Sequence, residues 1–246
     1  MKPTFICVGA QKAGTLSFAT HFNKHPEVFF HETEQHFFDR DCNFTNEECD
    51  ISKYEEKFIS DKPIRGEKTP EYMTRRIYID RIHKYDADIK LIILLREPIQ
   101  RLLSSHNHSN SIDRPWKFSI DNIEESLKLP NSTQFINGKY IDQIEYILTK
   151  FPKENIYIGI AEEIKQNPLE EYNKILTFLG AKPFDETFSF NPNIHKRKYL
   201  PESKFSEFDK KLLYEFYSPY NERLYTFLGR RIPSWDEFYV KNDLQQ

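Results

Sequence analysis

Apolar residues along this chain fall into two patterns. Three short runs are apolar almost without interruption: residues 4–9 (TFICVG), 90–95 (KLIILL) and 155–160 (NIYIGI). Their length and β-branched content predict buried strands. Unbroken apolarity predicts burial on both faces, the habit of a parallel sheet. Val28 to Phe30 predicts a further short strand. Between the runs, apolar positions recur at helical spacing. Residues 14–24 carry Leu16, Phe18, Ala19 and Phe22 on one stripe, and His25-Pro26 stops the helix. Helices are also predicted over residues 72–85, from about Ile99 to His106, and over 139–150, 168–179 and 206–228. Pro168 and Gly180 bracket the fourth of these as a helix start and stop. Strands alternating with helices predict an α/β fold, a parallel β-sheet flanked by helices. No linker or repeat divides the chain, so one domain over residues 1–246 is expected. Such sheets bind ligands at the carboxyl ends of their strands.

Composition narrows the classes of partner. With 21 Phe and 14 Tyr, the core is expected to be aromatic. A formal net charge of −3 supplies no global basic field for nucleic acid. No stretch reaches the ~18 apolar residues that read as a membrane span. The opening MKPTFICVGA is too short an apolar run for a signal segment, so a cytoplasmic protein without membrane partners is expected. Three cysteines, Cys7, Cys42 and Cys49, make no disulfide framework; Cys42 and Cys49 have the spacing to bridge, but free thiols are expected.

The first candidate chemistry follows the first strand. Gly9-Ala10-Gln11-Lys12-Ala13-Gly14-Thr15-Leu16-Ser17 links a strand to a helix. That context presents backbone N–H groups and a positive helix end to an anion. Lys12 adds a cation, and Thr15 and Ser17 add hydroxyls. The loop is not a Walker A motif, because Lys12 precedes Gly14 and no GK[ST] follows. A strand–turn–helix corner with a chance lysine is the plain alternative.

The second follows the strongest strand. Arg96-Glu97-Pro98 is succeeded by Arg101 and Ser104. Arg96 stands at a strand's carboxyl end, and Ser104 lies about two helical turns on. A guanidinium fork and a hydroxyl so spaced can converge on one phosphate.

The two motifs together resemble the nucleotide-binding sequences of sulfotransferases that use 3′-phosphoadenosine 5′-phosphosulfate (PAPS). The first resembles their K-x-G-T 5′-phosphosulfate loop, and the second their R-x-P-x-x-R-x-x-S 3′-phosphate site. Further segments resemble the heparan sulfate glucosaminyl 3-O- and N-sulfotransferase branch: ETEQHFFD at 32–39, GEKTPEY at 66–72, HKRKYLP at 195–201 and RIPSW at 231–235. The likeness spans the chain in order. It departs at His195 and Lys196, and the cysteine-bridged insertion before that loop is missing.

The resemblance implies a P-loop-NTPase-like sulfotransferase fold, PAPS as co-substrate with PAP as product, and no metal. It implies Glu34 as general base, Lys12 against the leaving oxygen, and His36 and Lys68 beside the reacting groups. Asp39 is a weaker candidate that orients a basic partner. Nucleotide binding is expected from Gln11, Lys12, Ala13, Gly14, Thr15, Leu16, Ser17, Arg96, Ser104, His195, Lys196, Arg197, Lys198 and Tyr199. The plain alternative for Lys68 is pairing with neighbouring Glu67 or Glu71. The acceptor is expected to be a hydroxyl or amine of a glycan or small molecule, smaller or less charged than heparan sulfate. Two other functions stay open on the sequence: a phosphate-loop small-molecule kinase and a non-catalytic PAP-binding module.

Overall fold

The computed structural model describes residues 1–44, 50–111, 122–128, 132–191 and 204–245. Its strands are β1 (Phe5–Gly9), β2 (Val28–Phe30), β3 (Ile64–Lys68), β4 (Lys90–Leu95) and β5 (Ile156–Ile160). Its α-helices begin with α1 (Thr15–Phe22), α2 (Ile51–Glu55), α3 (Arg76–Tyr85) and α4 (Pro98–Ser111). They continue with α5 (Ile123–Lys128), α6 (Thr133–Ile136), α7 (Tyr140–Leu148) and α8 (Ala161–Gln166). The last three are α9 (Pro168–Leu179), α10 (Glu207–Leu228) and α11 (Pro233–Lys241).

The described chain clusters into two compact units. The first comprises Met1–Leu95 and Glu145–His195 and contains the whole sheet. The strand order is β2-β3-β1-β4-β5, and every pairing is parallel. β1 and β4 occupy central positions and are buried almost throughout, as their unbroken apolar runs predict. Aromatic rings fill the space beside them: Phe18 meets Phe22 at 4.3 Å and Phe30 at 5.2 Å, and Phe5 meets Phe30 edge-on at 5.2 Å. A side chain at Gly66 has no room, since a Cβ there would lie 2.3 Å from the Phe5 ring.

The predicted strands and helices recur with shifts of a few residues at their ends. The 72–85 segment is the exception in kind: a 3₁₀ turn over Tyr72–Thr74 precedes α3. The elements not foreseen are the short helices α2, α5, α6 and α8, together with β3 and α11. β3 reads IRGEK, too polar to signal a buried strand, and α11 lies in a segment singled out only for its Pro and Trp.

The second unit comprises Arg96–Ile144 and Lys196–Gln246 and is helical among its described residues. Its start is organised by the buried Glu97 carboxylate. Glu97 accepts from the N–H groups of Ile99 at 3.0 Å and Gln100 at 2.7 Å, and from the Tyr239 hydroxyl at 3.0 Å. These bonds satisfy donors at the N-terminus of α4 that have no partner within the helix. Trp235, opening α11 after Pro233, is fully buried against Tyr140 and Tyr225. The long helix α10 begins with a capping box between Ser206 and Asp209.

Candidate active site

The loop after β1 turns into α1 through two residues in the left-handed region. Lys12 has φ 70° and Gly14 has φ 84°. For Gly14 that conformation is ordinary; for a lysine it is uncommon and marks a constrained position. No side chain caps the N-terminus of α1, and its first turn carries no acid. The first-turn N–H groups of a helix have no intrahelical acceptor, so this end suits an anion. Ala13 and Thr15 are buried, Gly14 is exposed, and Gln11, Lys12, Leu16 and Ser17 are half-buried. The Ser17 hydroxyl lies 3.4 Å from His21 Nδ1. The Gln11 amide donates to Glu71, which ties this loop to the segment after β3.

β3 is the next strand in the sheet, with Lys68 opposite Cys7. Lys68 is 3% exposed and donates to Glu34 Oε1 over 3.2 Å; Glu34 itself is 41% exposed. The lysine therefore pairs with neither Glu67 nor Glu71, its sequence neighbours. The other carboxylate oxygen, Glu34 Oε2, is 3.2 Å from His36 Nε2. His36 Nδ1 is 2.6 Å from Asp39 Oδ2. Glu34, His36, Asp39 and Lys68 thus form one connected set at the carboxyl end of β3. His36, within this set, has φ 49° and is a strained position. Asp39 is 8% exposed, and its Oδ1 has no hydrogen-bond partner among the described residues.

Beneath this set lies a buried polar layer that sequence reasoning missed. Glu67 is fully buried and accepts from the hydroxyls of Tyr54 at 2.9 Å and Thr69 at 2.7 Å. Burial pushes the Glu67 carboxyl up to about 7, against the opposing pull of the Thr69, Tyr54 and Tyr72 hydroxyls. Burial also raises Glu71, opposed by its bond from Thr74 and reinforced by the charge of Asp39. Phe37 stacks on Tyr54 at 4.6 Å, and Phe38 packs edge-on against Tyr72 at 5.5 Å. The signal for this layer was the GEKTPEY segment, which was singled out only for its family likeness.

In the second unit, Arg96 is half-buried directly after β4, and its carbonyl accepts from the Tyr140 hydroxyl at 2.8 Å. Ser104 is half-buried on α4. Arg101, between them in the motif, is fully buried and donates to the Gln134 carbonyl. It anchors α6 to α4 rather than standing at a surface. His195, Lys196, Arg197, Lys198 and Tyr199 lie outside the described residues, as does the Cys49 end of the possible Cys42–Cys49 bridge. Cys7 is a free, buried thiol. No described helix is long and apolar enough to cross a membrane.

Comparison with known proteins gives one consistent answer. The family model described as "Sulfotransferase domain" matches residues 2–213. Mouse heparan sulfate glucosamine 3-O-sulfotransferase 5 is 29% identical over 257 residues, covering 94% of this chain and 73% of the mouse protein. Human heparan sulfate glucosamine 3-O-sulfotransferase 6 is 26% identical over 260 residues, covering 93% and 72%. Among solved structures, a sulfotransferase from Alicyclobacillus acidocaldarius superposes with a TM-score of 0.77 at 22% identity, covering 96% of this chain and 99% of that one.

Proposed function

The chain belongs to the sulfotransferase domain family, as a PAPS-dependent enzyme near the heparan sulfate 3-O-sulfotransferase branch, and from that premise we propose how its own residues carry the transfer. The acceptor is a hydroxyl or amine on a glycan or small molecule, and Glu34 is the general base. The observation that carries this is the connected set Lys68–Glu34–His36–Asp39, with Glu34 its most exposed carboxylate.

PAPS, when bound, supplies a sulfuryl group attached to a phosphate leaving group. The uncapped end of α1, with Lys12 and Gly14 in left-handed conformations, fits a 5′-phosphosulfate through backbone N–H groups and a lysine cation. For Arg96 and Ser104 as 3′-phosphate ligands, the support is their sequence pattern. Lys12 is assigned to the leaving oxygen, where negative charge develops.

Glu34 takes the proton from the acceptor as its oxygen or nitrogen attacks sulfur. Lys68 fixes one oxygen of Glu34 and leaves the other facing His36. His36 lies between Asp39 at Nδ1 and Glu34 at Nε2, so the ring is oriented beside the base.

The test is transfer of label from [³⁵S]PAPS to heparan sulfate and to smaller glucosamine-containing oligosaccharides. Incorporation by the native chain, lowered by about 10²–10⁴ in Glu34→Gln, is the expected result. Stabilisation by ATP with magnesium but not by PAP favours the kinase reading, and PAP binding with no transfer to any acceptor favours a binding module.

A further inference from the structure

The loop bearing Glu34, His36 and Asp39 is held by side-chain hydroxyls. Thr69 Oγ1 accepts from the backbone N–H of Gln35 at 3.1 Å and of His36 at 3.3 Å. The Tyr72 hydroxyl accepts from the N–H of Phe37 at 3.0 Å and of Phe38 at 3.4 Å. Four successive N–H groups therefore hang on two oxygens.

A hydroxyl that receives two N–H groups must send its own proton elsewhere. The Thr69 proton goes to Glu67 Oε2, 2.7 Å away. Glu67 Oε1 is engaged by Tyr54, so the carboxylate stays in place. The backbone of Thr69 is itself fixed to the sheet, since its N–H donates to the Cys7 carbonyl at 3.1 Å. An unbroken line of bonds thus runs from the centre of the sheet to the strained residue His36.

We propose that Thr69, with its proton held by buried Glu67, is a positioning residue for the Glu34–His36–Asp39 set. This rests on the catalytic reading above. Neither Thr69 nor Glu67 touches the reacting groups; the threonine oxygen sets the backbone of Gln35 and His36, and hence where the imidazole faces Glu34. Loss of that oxygen leaves the buried N–H of Gln35 and the half-buried N–H of His36 without this acceptor and frees the φ 49° turn at His36 to relax. Small misplacements of this kind cost about 10²-fold in rate.

The test compares Thr69→Val, which keeps the shape and loses the hydroxyl, with Thr69→Ser, which keeps the hydroxyl. With [³⁵S]PAPS and heparan sulfate as the probe acceptor, Thr69→Val is expected to lower kcat about 10²-fold with KM for PAPS little changed, and Thr69→Ser to restore most of the rate. Amide hydrogen exchange at Gln35 and His36 is read on the same proteins, and protection is expected to fall in Thr69→Val only. Equal kcat in native protein and Thr69→Val, or equal impairment of both variants, overturns the proposal, as does unchanged exchange protection in Thr69→Val. A native chain that transfers no label counts against the catalytic reading instead, and the exchange measurement still decides the role of Thr69.

Discussion

Lys68 Nζ donates to Glu34 Oε1 over 3.2 Å, joining an ammonium that is 3% exposed to a carboxylate that is 41% exposed. The buried partner is held by β3 and the exposed partner faces outward. This asymmetry suits a base that must meet an external acceptor without losing its orientation. Glu34→Gln keeps the shape and removes the proton acceptor. Its transfer rate is expected to fall by about 10²–10⁴, the usual worth of a general base. Its melting shift with PAP is expected to stay. A Glu34→Gln protein with the native rate removes Glu34 from the mechanism.

The nucleotide assignment makes a prediction that needs no acceptor. PAP at about one hundred times its Kd is expected to stabilise the protein by about 2.7 kcal/mol without magnesium. Arg96→Ala removes a charged fork proposed for the 3′-phosphate. Loss of such charge-assisted bonds is expected to weaken PAP by about 10- to 100-fold. Titration calorimetry with PAP and with adenosine 5′-phosphosulfate, which lacks the 3′-phosphate, separates a specific loss from a general one. Arg96→Ala should weaken only PAP.

Glu67 carries a pH dependence of stability whose sign is fixed by its burial. Its carboxyl is raised from 4.5 to about 7 in the folded chain. Below about pH 4.5 both states hold the proton and the contribution is complete. Between there and about pH 7 the unfolded chain releases the proton while the folded chain keeps it. Stability contributed by this group is therefore lost as pH rises through that window, by about 1.4 kcal/mol per pH unit at the steepest. Glu67→Gln cannot titrate. Urea unfolding at pH 5 and pH 8 should show a smaller decline for Glu67→Gln than for the native chain; parallel curves sink the assignment.

Gly66 tests the packing that brings β3 into the sheet. An added Cβ would lie 2.3 Å from the ring of Phe5 on β1, which is itself fully buried and meets Phe30 edge-on. Gly66→Ala is expected to destabilise by about 1–3 kcal/mol, the usual cost of overpacking, read as a lowered urea midpoint at unchanged slope.

Much of this architecture was legible along the chain. β1 and β4 are central strands, and their apolar runs announce burial on both faces. The turn into α1 carries its own punctuation in Gly14. Glu34, His36 and Lys68 were singled out by family likeness, and the structure brings them within bonding distance. β3 was not legible, because Arg65, Glu67 and Lys68 read as solvated charge. A buried charge is recognised by its partners, and those of Lys68 and Glu67 include Glu34 and Tyr54, 34 and 13 residues away.

The sequence by itself determined the α/β class, the parallel habit of the sheet and the loop-to-helix turn after β1. Each follows from local periodicity, glycine placement or residue spacing within a few turns of chain. Only the tertiary structure decided that Lys68 pairs with Glu34 rather than its neighbours, that Arg101 is an internal anchor, and that Thr69, bonded to Glu67, holds the backbone after Glu34. Those outcomes depend on which polar groups lose water together. Desolvation is a property of the folded neighbourhood, not of the local pattern.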